Sequence, residues 1–287
     1  MGLDEGEAEA GFALFCQAVP QSDLCIAVRE IAAVRDIPVR TMPARVIYKE
    51  LISPTVVRLF LRLPKSQRLQ FLAGQYVDIL LPGGKRRSFS IASAPQNQEA
   101  LELHIRHVDG GDFTGFVFDK LQEKGILRLE GPLGTFFVRN DQPQRPMIMM
   151  GGGTGFAPLK SMIEYMLHKK HVRPIHLYWG AVNRAEIYLD KLARRWAAEY
   201  SHISYTPVLS EPESADDWSG RLGFVHHAVL EDYPQLSEHD VYMSGPPIMI
   251  DAARHAFLEA GVAERRLYYD SFEYAPDVPV SVLAEPH

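Results

Sequence analysis

The stretch that most constrains the fold is residues 145–158, RPMIMMGGGTGFAP. An apolar run, 147–150, is followed by glycines at 151, 152, 153 and 155, and then by apolar residues at helical spacing. This order predicts a strand, a tight glycine turn and a helix that begins near Phe156. Glycines let the backbone pass close to a bulky ligand, and free amides at a helix start favour a phosphate. The turn is therefore expected to hold a pyrophosphate.

The same turn departs from the dinucleotide fingerprint G-x-G-x-x-G/A. When the fingerprint is aligned with its first glycine at Gly151, its last position, which requires a small residue, falls on Phe156. An ordinary Rossmann dehydrogenase is therefore disfavoured. Taken alone, the motif leaves open a purely structural turn in another kind of α/β protein.

Strand-like and helix-like segments alternate from residue 145 onward. The predicted strands are 147–150, 175–179, 203–209, 241–244 and 267–269, and the predicted helices lie near 157–168, 188–200, 223–231 and 247–260. This alternation predicts a five-stranded parallel sheet covered on both faces. Ligands bind at the carboxyl ends of such strands, so residues 151–158, 180–184 and 244–247 are expected to line one cleft.

Residues 44–138 carry a different pattern. Six short β-like runs of alternating character are separated by Gly and Pro turns, which predicts a small six-stranded antiparallel barrel. The segment 112–122, DFTGFVFDKLQ, interrupts these runs. There Thr114 is expected to cap a short helix over 117–121.

The length of 287 residues is sufficient for two domains that each bury a core. We therefore expect an α+β two-domain fold. Its predicted parts are an N-terminal segment with a linker (1–38), a β-barrel (39–142), an α/β domain (143–275) and an irregular C-terminal tail (276–287).

Composition and charge exclude several classes of partner. The formal charge is −6 and the basic residues are scattered, which argues against a nucleic-acid surface. No apolar run approaches the roughly 20 residues of a membrane span, and the N-terminus lacks a basic start followed by an apolar stretch. We expect no membrane partner and a cytoplasmic location. The eleven His residues include no HExxH pair, so no bound metal is expected.

Three motifs in fixed order carry a family resemblance: RRSFSIAS at 86–93, GGGTGFAP at 151–158 and YMSGPP at 242–247. With them the chain resembles the ferredoxin-NADP reductase superfamily from residue 44 to about residue 274. Within that superfamily it is most similar to CDP-6-deoxy-glucoseen reductases, with oxygenase reductase components and NAD(P)H-flavin reductases as close relatives. The resemblance implies a flavin-binding barrel followed by an NAD(P)H-binding α/β domain.

The strand RSFS is the expected flavin motif. Alternation along a strand puts Arg87 and Phe89 on one face and Ser88 and Ser90 on the other. By resemblance, Arg87 binds a phosphate, Phe89 packs against the flavin or its ribityl chain, and the hydroxyl of Ser90 bonds the redox-active flavin nitrogen. Ser88 is expected to contact the cofactor as well. The alternative is a strand-edge arginine beside a core Phe and exposed serines.

A second expected flavin element is the segment HIRHVDGGDFTGFVF, 104–118. Glycines 110 and 111 allow a close turn, and Thr114 with the following helix start offers a hydroxyl and amides to a pyrophosphate, which favours FAD over FMN. The alternative for Thr114 is a plain helix cap. His104, Ile105 and Arg106 are expected to approach the flavin through their backbone, without a catalytic role.

The NAD(P)H side is expected to use the two loops of the α/β half. The residues assigned to it are Gly152, Gly153, Thr154, Gly155, Pro158, Arg184, Gly245, Pro246 and Pro247. Arg184 could meet a 2′-phosphate or lie on a solvated loop, and Glu186 is expected to point elsewhere. Similarity to oxygenase reductases favours NADH over NADPH.

Three residues are expected at the reacting centre: Ser90, Ser244 and Phe272. Relatives often have Cys where this chain has Ser244, near the carbon that gives up the hydride, so Ser244 is expected to act by positioning alone. The segment YYDSFEYA resembles the family's terminal segment, in which an aromatic residue covers the flavin. Phe272 is the first candidate for that residue and Tyr274 the second.

Residues 11–30 are similar to the last stretch of a plant-type ferredoxin domain. Cys16 matches the position of the fourth ligand of a two-iron two-sulfur cluster, but the C-x4-C-x2-C run for the other three ligands is missing. We expect no complete 2Fe-2S site in this chain. The alternative for Cys16 is a small buried apolar residue.

These patterns predict an FAD-containing NAD(P)H oxidoreductase that passes electrons to a ferredoxin-type or other acceptor. The expected partner is an acceptor protein, either a ferredoxin or an oxygenase or dehydrase component, or else free flavin. One alternative is an NAD(P)H-flavin reductase that uses free flavin as a substrate. Another, of a different class, is a non-catalytic nucleotide-binding regulatory module.

Overall fold

The structure is a computed structural model that describes residues 6, 19, 21–23 and 31–272. The chain divides into two units, Met1–Arg35 and Asp36–His287. The described residues of the first unit include helix α1, Ala32–Arg35. Cys16, Cys25 and Tyr274 lie outside the described residues, as do the predictions made for them.

The second unit begins with a six-stranded antiparallel sheet. Its strands are β1 (Arg40–Ser53), β2 (Val56–Arg62), β3 (Tyr76–Leu80), β4 (Arg86–Ser90), β5 (Leu101–Arg106) and β6 (Ile126–Leu133). They pair in the order β4-β3-β6-β1-β2-β5, and a bridge between Ile91 and Leu103 joins the two ends. The predicted six-stranded barrel is confirmed, and we call residues 40–133 the barrel lobe.

Side-chain alternation fills the barrel. In β1, Met42, Ala44 and Val46 are buried while Thr41, Pro43 and Arg45 are exposed, which is the period of two that a half-buried strand requires. Strand β5 differs because five successive residues, from Leu101 to Ile105, are buried. Both faces of β5 are therefore covered, one of them by the barrel core.

Helix α2, Asp112–Asp119, interrupts the strands as expected but begins five residues before the predicted start. Thr114 lies inside this helix, so its prediction as the cap is wrong. Gly110 turns the chain with φ of +72°, which lets the helix begin at Asp112. The N–H of Val108 donates to the Thr114 hydroxyl at 3.1 Å, so this side chain fixes the preceding turn.

The rest of the unit, residues 147–272, is an α/β lobe. Its strands are β7 (Met147–Gly152), β8 (Ile175–Ala181), β9 (Ile203–Leu209), β10 (Arg221–Leu222), β11 (Asp240–Gly245) and β12 (Leu267–Ser271). All pair in parallel, in the order β10-β9-β8-β7-β11-β12. The sheet has six strands, one more than predicted, because the two residues of β10 extend its edge beside β9.

Helices cover both faces of this sheet. They are α3 (Phe156–His168), α4 (Asp190–Glu199), α5 (Val225–Asp232) and α6 (Pro247–Glu259), and short 3₁₀ turns occur at Pro82–Gly84, Gly153–Gly155, Arg184–Glu186, Ser214–Asp216 and Glu264–Arg266. In β7, Met147 and Met149 pack towards α3 and α4, whereas Ile148 and Met150 pack towards α5 and α6. Burial on both faces explains why this strand reads as a continuous apolar run.

Among the residues that the structure describes, none of the helices combines the length and the apolar character needed to cross a membrane.

Candidate active site

A cleft of about 850 Å³ lies between the barrel lobe and the carboxyl ends of the α/β strands. The predicted site residues that line it are Arg87, Ser88, Phe89, Ser90, His104, Arg106, Gly111, Thr114, Gly152, Gly153, Thr154, Pro246 and Phe272. The predicted residues that do not line it are Ile105, Gly155, Pro158, Arg184, Ser244, Gly245 and Pro247. The structure thus brings residues from all three motifs to one cavity.

Strand β4 presents the RSFS motif to this cleft. Ser88 donates to the Asp78 carboxylate at 2.6 Å, which holds its hydroxyl against β3. The ring of Phe89 lies 5.6 Å from that of Phe113 on α2 and packs against the barrel core. The guanidinium of Arg87 donates to the Arg86 carbonyl at 2.8 Å, so the strand carries its cation at the cleft wall.

The hydroxyl of Ser90 reaches across to the other lobe. Its Oγ donates to Oδ2 of Asp270 at 3.2 Å, from β4 to β12. Burial raises the pKa of Asp270 to about 6, and the hydrogen bond from Ser90 acts in the opposite direction. Sequence reasoning missed Asp270, although it lies two residues before Phe272 in the quoted terminal segment. A carboxyl with this pKa exchanges a proton close to neutral pH.

The turn before α2 is packed tightly against its own backbone and side chains. A Cβ on Gly111 would lie 2.8 Å from the Thr114 hydroxyl and 2.9 Å from the Val108 carbonyl oxygen, so a larger residue would distort the turn. No side chain caps the helix that follows Gly111. The first amides of α2 therefore remain available to an acceptor such as a phosphate.

The glycine turn after β7 has a similar form. Gly153 has φ of +52°, and a Cβ there would lie 3.0 Å from Nη2 of Arg106. No side chain caps the start of the 3₁₀ turn Gly153–Gly155. A Cβ on Gly155 would lie 2.0 Å from the Ser244 carbonyl oxygen, so Gly155 serves close packing against β11.

Phe156 explains why the turn departs from the dinucleotide fingerprint. Its ring is fully buried and stacks on Trp179, with centroids 3.8 Å apart and planes 5° from parallel. The indole N–H of Trp179 donates to the Gly153 carbonyl at 3.0 Å. Phe156, which is too large for a Rossmann turn, thus supports this turn through its stacking on Trp179.

Ser244, expected near the reacting centre, is not among the residues that line the cleft. This residue is fully buried, its hydroxyl has no hydrogen-bond partner, and it lies behind the cleft wall, next to Gly155. Phe272 does line the cleft, and its N–H donates to the Gly245 carbonyl at 2.9 Å. The aromatic side chain of Phe272 thus lies in the cleft, next to the loop that begins with Gly245.

The loop after β8 holds its arginine away from the cleft. Arg184 is exposed, and both its backbone N–H and its guanidinium donate to Asp216, at 3.1 and 2.7 Å. Glu186 lines the cleft and forms an ion pair with Arg106 on β5 at 2.8 Å. The expectation that Glu186 points away from the coenzyme stays a prediction.

Two glycine turns with uncapped helix starts face one cavity, and the RSFS strand lies beside them. These features fit a dinucleotide on the barrel side and a second one on the α/β side. Among the described residues, no group of three or more His, Cys, Asp or Glu could hold a metal ion.

Comparisons with known proteins agree with this geometry. Residues 43–138 match the model of an oxidoreductase FAD-binding domain, and residues 149–255 match that of an oxidoreductase NAD-binding domain. The FAD and NAD(P)H predictions are therefore confirmed.

Individual relatives extend the match over most of the chain. A Yersinia pestis CDP-6-deoxy-L-threo-D-glycero-4-hexulose-3-dehydrase reductase is 42% identical over 270 residues, covering 94% of this chain and 80% of that protein. The reductase component of phenol 2-monooxygenase from a Pseudomonas species is 36% identical over 269 residues, covering 92% and 75%. The crystal structure of an Amycolatopsis cytochrome P450 reductase superposes with a TM-score of 0.80 at 33% identity, covering 94% and 81%.

The chain therefore belongs to the ferredoxin-NADP reductase-like family of FAD-containing, NAD(P)H-dependent reductases, enzymes that move electrons from NAD(P)H through FAD to an acceptor.

Proposed function

We propose that this chain is an NADH-dependent reductase component whose acceptor is another protein, of the ferredoxin type or a component of an oxygenase or dehydrase. One observation carries the proposal most directly. The cleft joins the RSFS strand, both glycine turns and Phe272 in a single cavity, and the Ser90–Asp270 hydrogen bond spans it. Such a cavity brings the expected flavin site and the expected coenzyme site together.

On the flavin side, we assign the roles that the residues fit. Arg87 and the first amides of α2 would neutralise phosphates, and Ser90 would direct its hydroxyl towards the reacting ring. Phe89 would contribute apolar contact. Bound FAD supplies the chemistry that no side chain here has, because it takes up a hydride and releases electrons singly.

The chain's own contribution is binding, orientation and the exclusion of water. The turn from Gly152 to Thr154 would hold the coenzyme pyrophosphate, and Phe272 would cover the reacting face until the nicotinamide displaces it. The Ser90 hydroxyl donates to the Asp270 carboxyl, whose pKa burial raises to about 6, so this carboxyl carries a proton at mildly acidic pH. Ser244, behind the wall, would support the loop rather than touch the coenzyme.

The preference for NADH rests on Arg184. A 2′-phosphate needs a cation that is free to approach it, but the Arg184 guanidinium is engaged by the Asp216 carbonyl at 2.7 Å. A 2′-phosphate would have to compete with the Asp216 carbonyl for Arg184, whereas a ribose with free hydroxyls needs no cation at this position.

The protein acceptor is supported by the kind of relatives that match. Two of them are named as the reductase of a dehydrase and the reductase component of a monooxygenase. Proteins with those names serve a second component, and this chain matches three quarters or more of their length. Cytoplasmic location and the domain boundaries stay predictions.

The test is the visible spectrum of the FAD-loaded protein during anaerobic addition of NADH or NADPH. The expected result is a flavin band that bleaches faster with NADH, followed by reoxidation on adding a ferredoxin. A colourless protein that oxidises NADH only with free flavin would instead indicate a flavin reductase. No oxidation of either coenzyme would support a regulatory module.

A further inference from the structure

Strand β5 carries three polar side chains at alternating positions: Glu102, His104 and Arg106. The residues between them, Leu103 and Ile105, are fully buried in the barrel core. A strand's period of two therefore directs all three polar groups out of the barrel, on the same face.

Each of these side chains is paired with a residue of the α/β lobe. We call these contacts the interlobe pairs: Glu102 Oε2 with Lys160 Nζ at 2.9 Å, His104 Nδ1 with Tyr188 Oη at 3.0 Å, and Arg106 Nη2 with Glu186 Oε2 at 2.8 Å. One strand thus meets helix α3 and the loop after β8 through three successive contacts.

The first pair is buried and charged. The side chains of Glu102 and Lys160 are each 5% exposed. Arg58 adds a second cation at 2.8 Å from Glu102. Although burial opposes ionisation, His104, Lys160 and Arg58 hold the pKa of Glu102 below its ordinary value. An ion pair buried to this degree tolerates little displacement, because separation would leave charges without water or partners.

The second pair has a defined hydrogen-bond direction. Burial lowers the pKa of His104, so its imidazole is neutral. Since a carboxylate only accepts, Nε2–H donates to Glu102 at 2.9 Å, which leaves Nδ1 to accept from the Tyr188 hydroxyl. The imidazole of His104 therefore links Glu102 in the barrel lobe to Tyr188 in the α/β lobe through two hydrogen bonds.

The interlobe pairs lead to the glycine turn. The ring of Tyr188 meets Trp179 edge-on at 5.0 Å, and Trp179 donates to the Gly153 carbonyl at 3.0 Å. The Arg106 guanidinium also lies beside this turn, because its Nη2 would be 3.0 Å from a Cβ placed on Gly153. The strand beside the flavin motif thus supports the expected coenzyme turn by two routes.

We propose that the interlobe pairs are positioning elements for hydride transfer, which fix the α/β lobe on the barrel so that the coenzyme carbon lies at reacting distance from the flavin. This inference rests on the proposed function. A displacement of about 1 Å can cost on the order of a hundredfold in rate, so a small change in how the lobes meet has a measurable effect.

The decisive variant is Glu102→Gln, which keeps the shape and removes the charge. Each cation retains a carboxylate, because Lys160 also contacts Glu164 at 3.0 Å and Arg58 also contacts Glu50 at 3.1 Å. The matched control is Asp240→Asn. Asp240 is a fully buried carboxylate bonded to Arg173 within the α/β lobe, so its neutralisation costs stability without touching the contact between lobes.

The measurement is the limiting rate constant for anaerobic flavin reduction by NADH in FAD-loaded protein. For Glu102→Gln it is expected to fall at least about tenfold, with flavin affinity and reduction by dithionite unchanged. For Asp240→Asn the rate constant is expected to stay within about twofold of wild type while the melting temperature falls. If Glu102→Gln is not soluble, Tyr188→Phe takes its place, with Tyr178→Phe as control because that hydroxyl donates to Asp232 in its own lobe.

Three results would overturn the inference. Equal rates for the interlobe variant and its control would show that the pairs only stabilise the fold. Loss of flavin or slower dithionite reduction would show a general defect. A wild-type protein that neither coenzyme reduces would refute the proposed function, and with it this inference; the first two results leave that function intact.

Discussion

Replacing Asp270 by Asn should stabilise the protein in a pH-dependent way. In the folded chain, burial raises the pKa of this carboxyl from 3.8 to about 6. Below pH 3.8 both the folded and the unfolded carboxyl are protonated, so the substitution has little effect. Between pH 3.8 and about pH 6 the unfolded carboxyl ionises while the folded one keeps its proton, so the free energy of unfolding of the wild type falls as pH rises. Above about pH 6 the full cost of ionising the buried group is present.

The size of the effect follows from the same two values. The rise from 3.8 to about 6 corresponds to about 3 kcal/mol at about 1.4 kcal/mol per pH unit. Asp270 faces the cleft, where solvent screens part of this cost. We therefore expect Asp270→Asn to raise the free energy of unfolding by about 1 to 3 kcal/mol at about pH 8, and by almost nothing near pH 4.

The assay is urea unfolding of the FAD-free protein at several pH values, since a ligand bound only to the folded state would add its own stabilisation. Asp251→Asn, at an exposed position on α6, provides the control for loss of one negative charge. A gain for Asp270→Asn that is the same at low and high pH, or no larger than that of the control, would refute the reasoning.

Three further changes test other parts of the site. Ser90→Ala removes the hydrogen bond that lowers the pKa of Asp270. The pKa of the Asp270 carboxyl should therefore rise, which carboxyl NMR would measure. Gly155→Ala would place a methyl group 2.0 Å from the Ser244 carbonyl oxygen and should cost at least about 3 kcal/mol in urea unfolding; a stable variant would contradict the close packing. Arg184→Ala should leave the ratio of kcat/KM for NADH and NADPH within about threefold of wild type, because Asp216 already engages the guanidinium; a selective loss with NADPH would disprove this.

Much of the fold could be predicted because its elements are periodic. The six barrel strands show alternation and the α/β helices show helical spacing, so their order follows from local pattern. Strand β10 could not be found in this way, since Arg221–Leu222 is too short to have a period. The start of α2 was missed because Thr114 looks like a cap, whereas Gly110 had already turned the chain.

The site was predictable where its residues share a motif. The RSFS strand and the glycine turns lie at the cleft because each is a local structure. Asp270 was missed because its role depends on a contact with a residue 180 positions earlier. Ser244 was expected near the reacting centre by analogy with relatives, and that role stays a prediction, since the structure shows only that the residue is buried and that Gly155 packs against its carbonyl.

The contact between Ser90 and Asp270 also sets an order of assembly during synthesis. The barrel strands leave the ribosome first, while the residue that meets Ser90 follows 180 residues later. At about 5 to 20 residues per second, the delay is roughly 10 to 40 s. The barrel is complete only at Leu133, so for roughly 7 to 27 s a nascent barrel can fold and expose its flavin face before Asp270 is made. A half-made chain could thus acquire its cofactor without being able to consume coenzyme.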